Sequence, residues 1–503
     1  MKTRSIAPLL LAALLLIPLV SACGGGTEPA AAGTAAAQTG AAAPENEAEA
    51  IETEAEALPD PGIEAVDLGG AEYTVLNRQK TDFYVYQYHE FMSDGENGET
   101  INDAVYQRNM KIEEKYNLKL VSVETDDYVG AAQKSVKAGD NAYQLIFPMH
   151  NSAFTLAQGG LLYDMSAIPH VDIGDVWWMD NISRNTSVGG KNYFVTGALN
   201  LSTLNGVGAI YFNKSLAEQM NITDLYDTVK GGGWTIDRFA EYCRGITRDV
   251  NGDGVMNGED AFGLTCNGFV WQPLYAGSDS ILVGKDADDM PSCMWNSAKN
   301  TGIISRLVTF LNDHESVILV NQFPELQDAD GWGNASVRMF TEDRALFWIE
   351  IIYGVSTLRN MDKDFGILPI PKYSETQSDY TSYIHSGHTS TSCVPVTNPD
   401  PDLAGRVLED AAYWSYLILK PAYYDTTLKG KISRDNESGE MLDIIYSKIN
   451  LDLALLIPDM PIDGAMREIM IKNNTEFVST IEKQMSKCDK TVEKFVQKLT
   501  DLG

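Results

Sequence analysis

At 503 residues, with 70 Asp and Glu against 38 Lys and Arg, the chain carries a net charge of −32. Such a body repels nucleic acid and anionic headgroups and suits neutral solutes or cations. Six scattered cysteines without a C-x-x-C argue against a zinc ribbon or a disulfide scaffold; buried free thiols are expected, with one bridge such as Cys266–Cys293 as the alternative.

The first predicted element is a leader. Lys2 and Arg4 precede an apolar run from Ile6 to Val20, which ends in Val20-Ser21-Ala22-Cys23-Gly24. This is a basic n-region, an h-region and a small-residue cleavage site. The run falls short of the roughly twenty apolar residues that span a bilayer. Its ending resembles the lipobox of bacterial lipoproteins, which implies cleavage before Cys23, acylation of that cysteine and a place on the outer face of the cell membrane; an ordinary secretory signal is the alternative. Residues 24–67 contain no aromatic, Lys or Arg and ten carboxylates. Such a composition cannot offset the entropy of ordering the chain, so a disordered acidic tether is expected, with a reach on the order of 35–40 Å. The leader carries +2 and the tether −10, which leaves −24 on the body. The body is too long for one ordinary core, and two domains are expected.

In the body, Glu72–Leu76 reads as a strand and Asn102–Tyr116 as a helix with Ala104, Val105, Met110, Ile112 and Tyr116 near one face. Asn117–Val123 alternates as a strand, Tyr128–Ala138 reads as a helix, and Ala142–Phe147 as a buried strand. Alternation of strands and helices predicts parallel pairing with right-handed crossovers and ligands beyond the strands' carboxyl ends. The loops 79–99 and 149–152 are therefore the ones to watch. Further along, 199–213 reads as a crossing segment plus a strand, Thr235–Ile246 as a helix, and Leu346–Ile352 as an apolar strand with one acid, Glu350. Phe365–Pro371 is a strand stopped by prolines. Ala404–Leu419 and Glu476–Leu499 are helices.

Four stretches in this order resemble family 1 extracellular solute-binding proteins of ABC importers, whose plan maltose-binding protein shares. They are Gln158–Asp164, residues 190–213 (GKNYF…GAIYFNKSL), Gly233-Trp234-Thr235-Ile236-Asp237-Arg238-Phe239, and Phe365–Lys372. The resemblance implies an α/β fold: a two-lobe periplasmic-binding-protein-like architecture with a cross-over hinge and an interlobe cleft. The expected boundaries are a leader at 1–23, a tether at 24–67, lobe 1 at 68–206 and 382–428, and lobe 2 at 207–381 and 429–503. It also implies a monomer that hands its solute to ABC transporter permease subunits.

Two constellations carry chemistry. Asp249-Val-Asn251-Gly-Asp253-Gly254-Val255-Met-Asn257-Gly-Glu259-Asp260 has EF-hand spacing, so one structural Ca²⁺ is expected at Asp249, Asn251, Asp253, the Val255 carbonyl and Asp260. Asp at the last position is shorter than the usual Glu, which puts affinity in question. A metal-free Asn/Asp/Gly turn is the alternative. The second constellation is aromatic. Trp177, Trp178, Trp271, Trp295, Trp332, Trp348, Trp414 and Tyr353 follow no helical stripe, and flat rings cover the C–H faces of sugars. Core packing accounts for most of them. Trp271 and Trp332 stand in polar, Gly-rich settings and are the stacking candidates. Glu350 either pairs with an Arg or accepts ligand hydroxyls, since an unpaired buried acid is costly. The expected ligand contacts are Glu90, Asn151, Asn205, Trp271, Trp332, Glu350 and Tyr353.

Enzyme signatures are missing: there is no G-x-S-x-G, no H-E-x-x-H and no phosphate-cradling loop. His385-Ser-Gly-His388 lacks a third ligand at metal spacing, so a satisfied pair is expected. The expected function is capture of a carbohydrate by a lipid-anchored receptor, not catalysis. The alternatives are a receptor for a peptide or other solute, or a surface glycan hydrolase, which needs two carboxylates roughly 5–10 Å apart.

Overall fold

A computed structural model describes residues 60–80, 90–93, 95–326, 334–424 and 436–501. Residues 59–503 cluster as one compact unit. The leader, most of the tether and Trp332 lie outside the described residues.

The first sheet is built by alternation. Strand β1 (Ala71–Arg78) is followed by helix α1 (Thr100–Tyr116), β2 (Leu118–Thr125), α2 (Tyr128–Ala138), β3 (Leu145–Ile146) and α3 (His150–Gln158). The order is β2-β1-β3, and both pairings are parallel, as the alternation of elements predicts. Tyr73 and Val75 on one face join Ile112, Tyr116, Leu145 and Phe147 in one core, while Leu76 and Ile146 on the other join Ala132, Ala153 and Phe154. This is the two-residue period of a strand covered on both faces. The helices are stopped by their caps. The Glu99 carboxylate accepts from Asn102 N at the start of α1, and Asn117 ends it at φ 44°. Asp127 caps α2, and Gly139 closes it at φ 67°. One expectation fails on α1: Met110 is 42% exposed, whereas Ala104, Val105, Ile112 and Tyr116 are buried. At 100° per residue Met110 stands about 140° from Val105, off the buried face.

After α4 (Asp180–Thr186) and the single turn α5 (Leu201–Asn205) comes the second sheet. Its strands are β4 (Gly208–Asn213), β5 (Phe262–Cys266), β8 (Val317–Leu319), β9 (Ala345–Ile351) and β10 (Phe365–Leu368). They lie in the order β10-β4-β9-β5-β8. Here β4 runs antiparallel to both neighbours, while β5 is parallel to β8 and β9. Every residue of β4 and β5 is buried, so hydropathy shows no alternation. Helices α6 (Ile236–Cys243) and α7 (Trp271–Gly277) flank β5 in sequence, and the small hairpin β6 (Val283–Lys285) and β7 (Pro291–Cys293) precedes α8 (Ala298–Leu311). Trp234, fully buried, donates from Nε1 to the Pro369 carbonyl at 2.8 Å. The tryptophan ahead of α6 thereby ties to the strand end at β10.

Downstream lie β11 (Ser382–Tyr383), α9 (Pro401–Trp414), α10 (Asn436–Ser447), β12 (Ile449–Asn450), α11 (Ile462–Ile471) and α12 (Phe477–Thr500). A π-helical stretch, Ser415–Leu419, continues α9. The bridge expected as the alternative, Cys266–Cys293, does not form. Cys293 on β7 bonds Cys488 on α12, while Cys243, Cys266 and Cys393 are buried free thiols. Cys266 ends β5 as a buried core residue, and the thiol that would pair with it is already bonded to Cys488. The bridge closes 195 residues of sequence, and such a closure contributes about 2–5 kcal/mol by restricting the unfolded chain.

Candidate functional site

Two stretches run side by side between the sheets. Val207 bridges Ile384 in antiparallel sense, and His385 N donates to the Gly206 carbonyl at 3.0 Å. The carboxyl end of β9 joins them: Ile352 N donates to the Val207 carbonyl at 2.7 Å and Tyr353 N to the Asn205 carbonyl at 3.1 Å. Gly206 is required by crowding, because a Cβ there would lie 2.1 Å from Thr389 Cγ2. Beyond Ile384 the chain reaches the first sheet, where Cys393 bridges Ile146 and Ser392 bridges Val195. These antiparallel passes are the crossing segments of a hinge.

The strand ends around the hinge carry polar and aromatic groups. Arg78, last in β1, donates to the His388 carbonyl. Asn151, exposed at the start of α3, has its Nδ2 beside the Gly387 turn. The rings of His385 and His388 pack at 4.0 Å, and Tyr383 lies 6.0 Å from His385. Tyr383 OH donates to Gln272 Oε1, and Gln272 Nε2 donates to Asp463 Oδ1 at 2.7 Å. Asp463 also pairs with Arg467 at 3.2 Å, whose guanidinium lies 4.6 Å from the Phe269 ring centre. Thus a chain of contacts runs from β1 through the hinge to α11, with imidazole, amide, carboxylate and guanidinium groups beside flat rings. Burial pushes the His385 imidazole down to about 3 and that of His388 to about 4. His150, whose ring nitrogens lie 2.8 Å from Thr389 Oγ1 and 2.9 Å from Thr196 Oγ1, is pushed down to about 3. All three rings are therefore neutral near pH 7.

The candidate contacts fall into two groups. Asn151, Asn205 and Tyr353 stand at the hinge, and Tyr353 is half-buried at its mouth. Asn205 is buried; its Oδ1 accepts from Tyr423 OH, and among the described residues its Nδ2 has no hydrogen-bond partner. Glu350 pairs with Ala209 across the sheet, on the face that carries Tyr211 and Trp348. Among the described residues it has no basic partner. Burial raises its carboxyl to about 7 against one hydrogen bond from Ile351 N. Glu90 is internal: Ser390 Oγ donates to its carboxylate, Arg108 donates to its carbonyl, and burial raises its pKa. Trp271 is 1% exposed, lies 6.2 Å from the Tyr275 ring, and lines a small cavity together with Gln272 and Tyr383. Among the other rings, Trp177 and Trp178 both donate to the Glu409 carboxylate. Sequence reasoning left out Arg78, Phe269, Gln272, Tyr383, Asp463 and Arg467. Arg78 and Phe269 were within reach, since each follows a strand's carboxyl end; Asp463 and Arg467 sit on a helix that no strand signal marks.

In the acidic loop, Gly252 and Gly254 take φ of 77° and 76°. Asp249 accepts from both of their amides, Asn251 from Asp253 N, and Asp253 from Val255 N. Asp260 is fully buried and accepts from Val250 N and Asn257 N, both at 2.9 Å, so it closes the loop on itself. Among the described residues, no three His, Cys, Asp or Glu side chains are gathered as a metal cluster. The donors are hard oxygens of the kind calcium takes.

No curated protein matches the chain. Among solved structures, M. tuberculosis UspC superposes with a TM-score of 0.54 at 12% identity, over 84% of this chain and 100% of that one. A cyclo/maltodextrin-binding protein complexed with maltotetraose gives 0.53 at 12%, over 86% and 97%. A sugar transporter from Rhizobium etli, in an open conformation, gives 0.53 at 13%, over 86% and 99%. These likenesses establish the two-lobe α/β fold with its hinge and cleft. The profile of the family described as bacterial extracellular solute-binding protein matches residues 93–388, more than half of the chain, and the chain belongs to that family.

Proposed function

We propose that this protein is a lipid-anchored receptor that captures a carbohydrate between two lobes and presents it, closed, to an ABC permease. The supporting observation is the chain of paired polar groups and rings around the hinge. Sugars need hydroxyl partners of both signs and flat apolar faces, and Asn151, Gln272, Asp463, Arg467, Phe269 and Tyr353 offer both. Solved relatives of the same fold were crystallised with maltotetraose and, in M. tuberculosis UgpB, with glycerophosphocholine. The sugar reading and its non-sugar alternative therefore share one test. With lobes at 68–206 plus 382–428 and 207–381 plus 429–503, closure turns on the paired passes at 205–207 and 384–388. The contacts between Phe154 and Phe495, at 5.0 Å, and from Gly190 N to Asp289, at 2.9 Å, then cross the lobes. Ligand that touches both lobes favours the closed state by its differential affinity.

A thermal-shift screen of mono- and oligosaccharides, peptides and glycerophosphodiesters should show stabilisation by a sugar. A response only to the other classes overturns the carbohydrate reading; hydrolysis of a glycan overturns the receptor reading. The anchor is tested separately: C23S should move the protein from the membrane fraction to the medium, and an unchanged distribution removes lipidation. We also propose one structural Ca²⁺ at Asp249, Asn251, Asp253, the Val255 carbonyl and Asp260, supported by the ligand spacing and the two positive-φ glycines. No helix among the described residues is long and apolar enough to cross a membrane.

A further inference from the structure

Helix α12 divides its circumference by charge. Lys483, Lys487, Lys490, Lys494 and Lys498 recur at intervals of four, three, four and four residues. At 100° per residue they share an arc of about 80°. Ile481, Cys488, Val492, Phe495 and Leu499 form the buried face. Glu482, Asp489 and Glu493 occupy a third arc, roughly 120° from the lysines. All five lysines are exposed. Among the described residues none of them forms an ion pair, and Lys498 donates to Gln158 Oε1 at 2.9 Å. On a chain of net charge −32, a row of five unneutralised cations is not explained by helix stability, because an i,i+4 acid would serve that better.

The row is also concave. All five lysines line a cavity of about 510 Å³, together with Phe495, Pro458 and Asp459. The ammonium groups follow one line over roughly 22 Å, at the 1.5 Å rise of a helix. Among the described residues Asp459 is the one acid in that lining. Glu482, Asp489 and Glu493 on the same helix stand within a Debye length of the row, about 8 Å at physiological salt, whereas acids farther away are screened.

We propose that this groove is a second binding surface, independent of the solute cleft, for a linear polyanion of phosphodiester or polyphosphate type. A straight file of cations beside a groove fits a strand that presents charge after charge. A flat bilayer could meet the lysine tips but would leave the groove empty.

Long-chain inorganic polyphosphate is the probe, titrated against the full chain at several salt concentrations. Five contacts predict that log K falls against log salt with a slope of about −3.5, at roughly 0.7 per contact. K487Q/K490Q/K494Q should weaken binding at least tenfold and flatten the slope to about −1.4. K487R/K490R/K494R should restore both. K134Q/K137Q, on exposed α2 lysines, should bind like the parent. An unchanged slope in the triple Gln variant, with an unchanged melting temperature, overturns the proposal. So does binding to phosphatidylglycerol vesicles without binding to polyphosphate, which would make the partner a lipid surface.

Discussion

At the residue scale, Trp271 and Tyr353 separate two kinds of aromatic that look alike in sequence. Both follow a strand and both are expected ligand contacts. Trp271 sits in a polar, Gly-rich stretch, yet it opens a helix that turns the ring inward, where it is 1% exposed. Tyr353 closes β9, and its backbone is held by Asn205 at the hinge, which leaves the ring half-buried. W271A should therefore cost stability, about 3–5 kcal/mol for a large buried ring, while folded protein keeps its affinity. Y353A should do the reverse. It should weaken the solute found in the thermal-shift screen by about 1–2 kcal/mol, roughly 5- to 30-fold in Kd, with little change in unfolding. Denaturant titration and calorimetry on the two variants check this, and equal losses of affinity would restore Trp271 to the site. The strand ends were legible, because they are marked by where hydrophobic runs stop. Which side chain faces the cleft was not, because that depends on one-residue phase at the start of a helix.

At the element scale, the first sheet was legible because its strands and helices alternate with clear periods and caps. The second was less so: β4 and β5 are buried throughout, which removes the alternation that marks direction. The antiparallel placement of β4 depends on contacts far along the chain. The Cys293–Cys488 bond was illegible for the same reason, since spacing carries no pairing information across 195 residues. The acidic loop was legible in full as a motif. Its fold adds one point: Asp260 holds both Val250 N and Asn257 N, so the last ligand position already staples the loop's two ends. The expected consequence of calcium is a loop set more firmly behind α6. Ion at 100 times Kd stabilises by about 2.7 kcal/mol. EDTA should therefore lower the melting temperature of the parent and leave D249N/D253N unchanged. If the parent melts identically with and without EDTA, and calorimetry detects no uptake of calcium, the loop is a turn held by its own amides.

At the scale of the whole molecule, buried titratable groups of both signs set a stability optimum. His150, His385 and His388 fall from 6.5 to about 3, 3 and 4. Between those values and 6.5 the unfolded chain binds the extra protons, so their contribution is present above pH 6.5 and is lost as pH falls. Glu350 rises from 4.5 to about 7 and Asp452 from 3.8 to about 6, and Glu409 is raised as well. For these the folded state binds the extra protons. Their contribution is present below about 4 and is lost as pH rises through the raised values. The two sets oppose each other between about pH 4.5 and 6.5, and each acts alone outside that window. Below it the histidines remain, joined by Asp103, Asp140 and Asp402, whose carboxyls are held low by hydrogen bonds and partners. Above it the raised acids remain, joined by self-repulsion in a body of large negative charge. The melting temperature should peak between about pH 4.5 and 6.5 and decline on both sides. E350Q should flatten the alkaline limb, because Gln fills the same space and does not ionise. A parent whose melting temperature climbs steadily from pH 5 to pH 8, or an E350Q variant with an undiminished alkaline decline, would show that Glu350 does not carry the buried proton assigned to it.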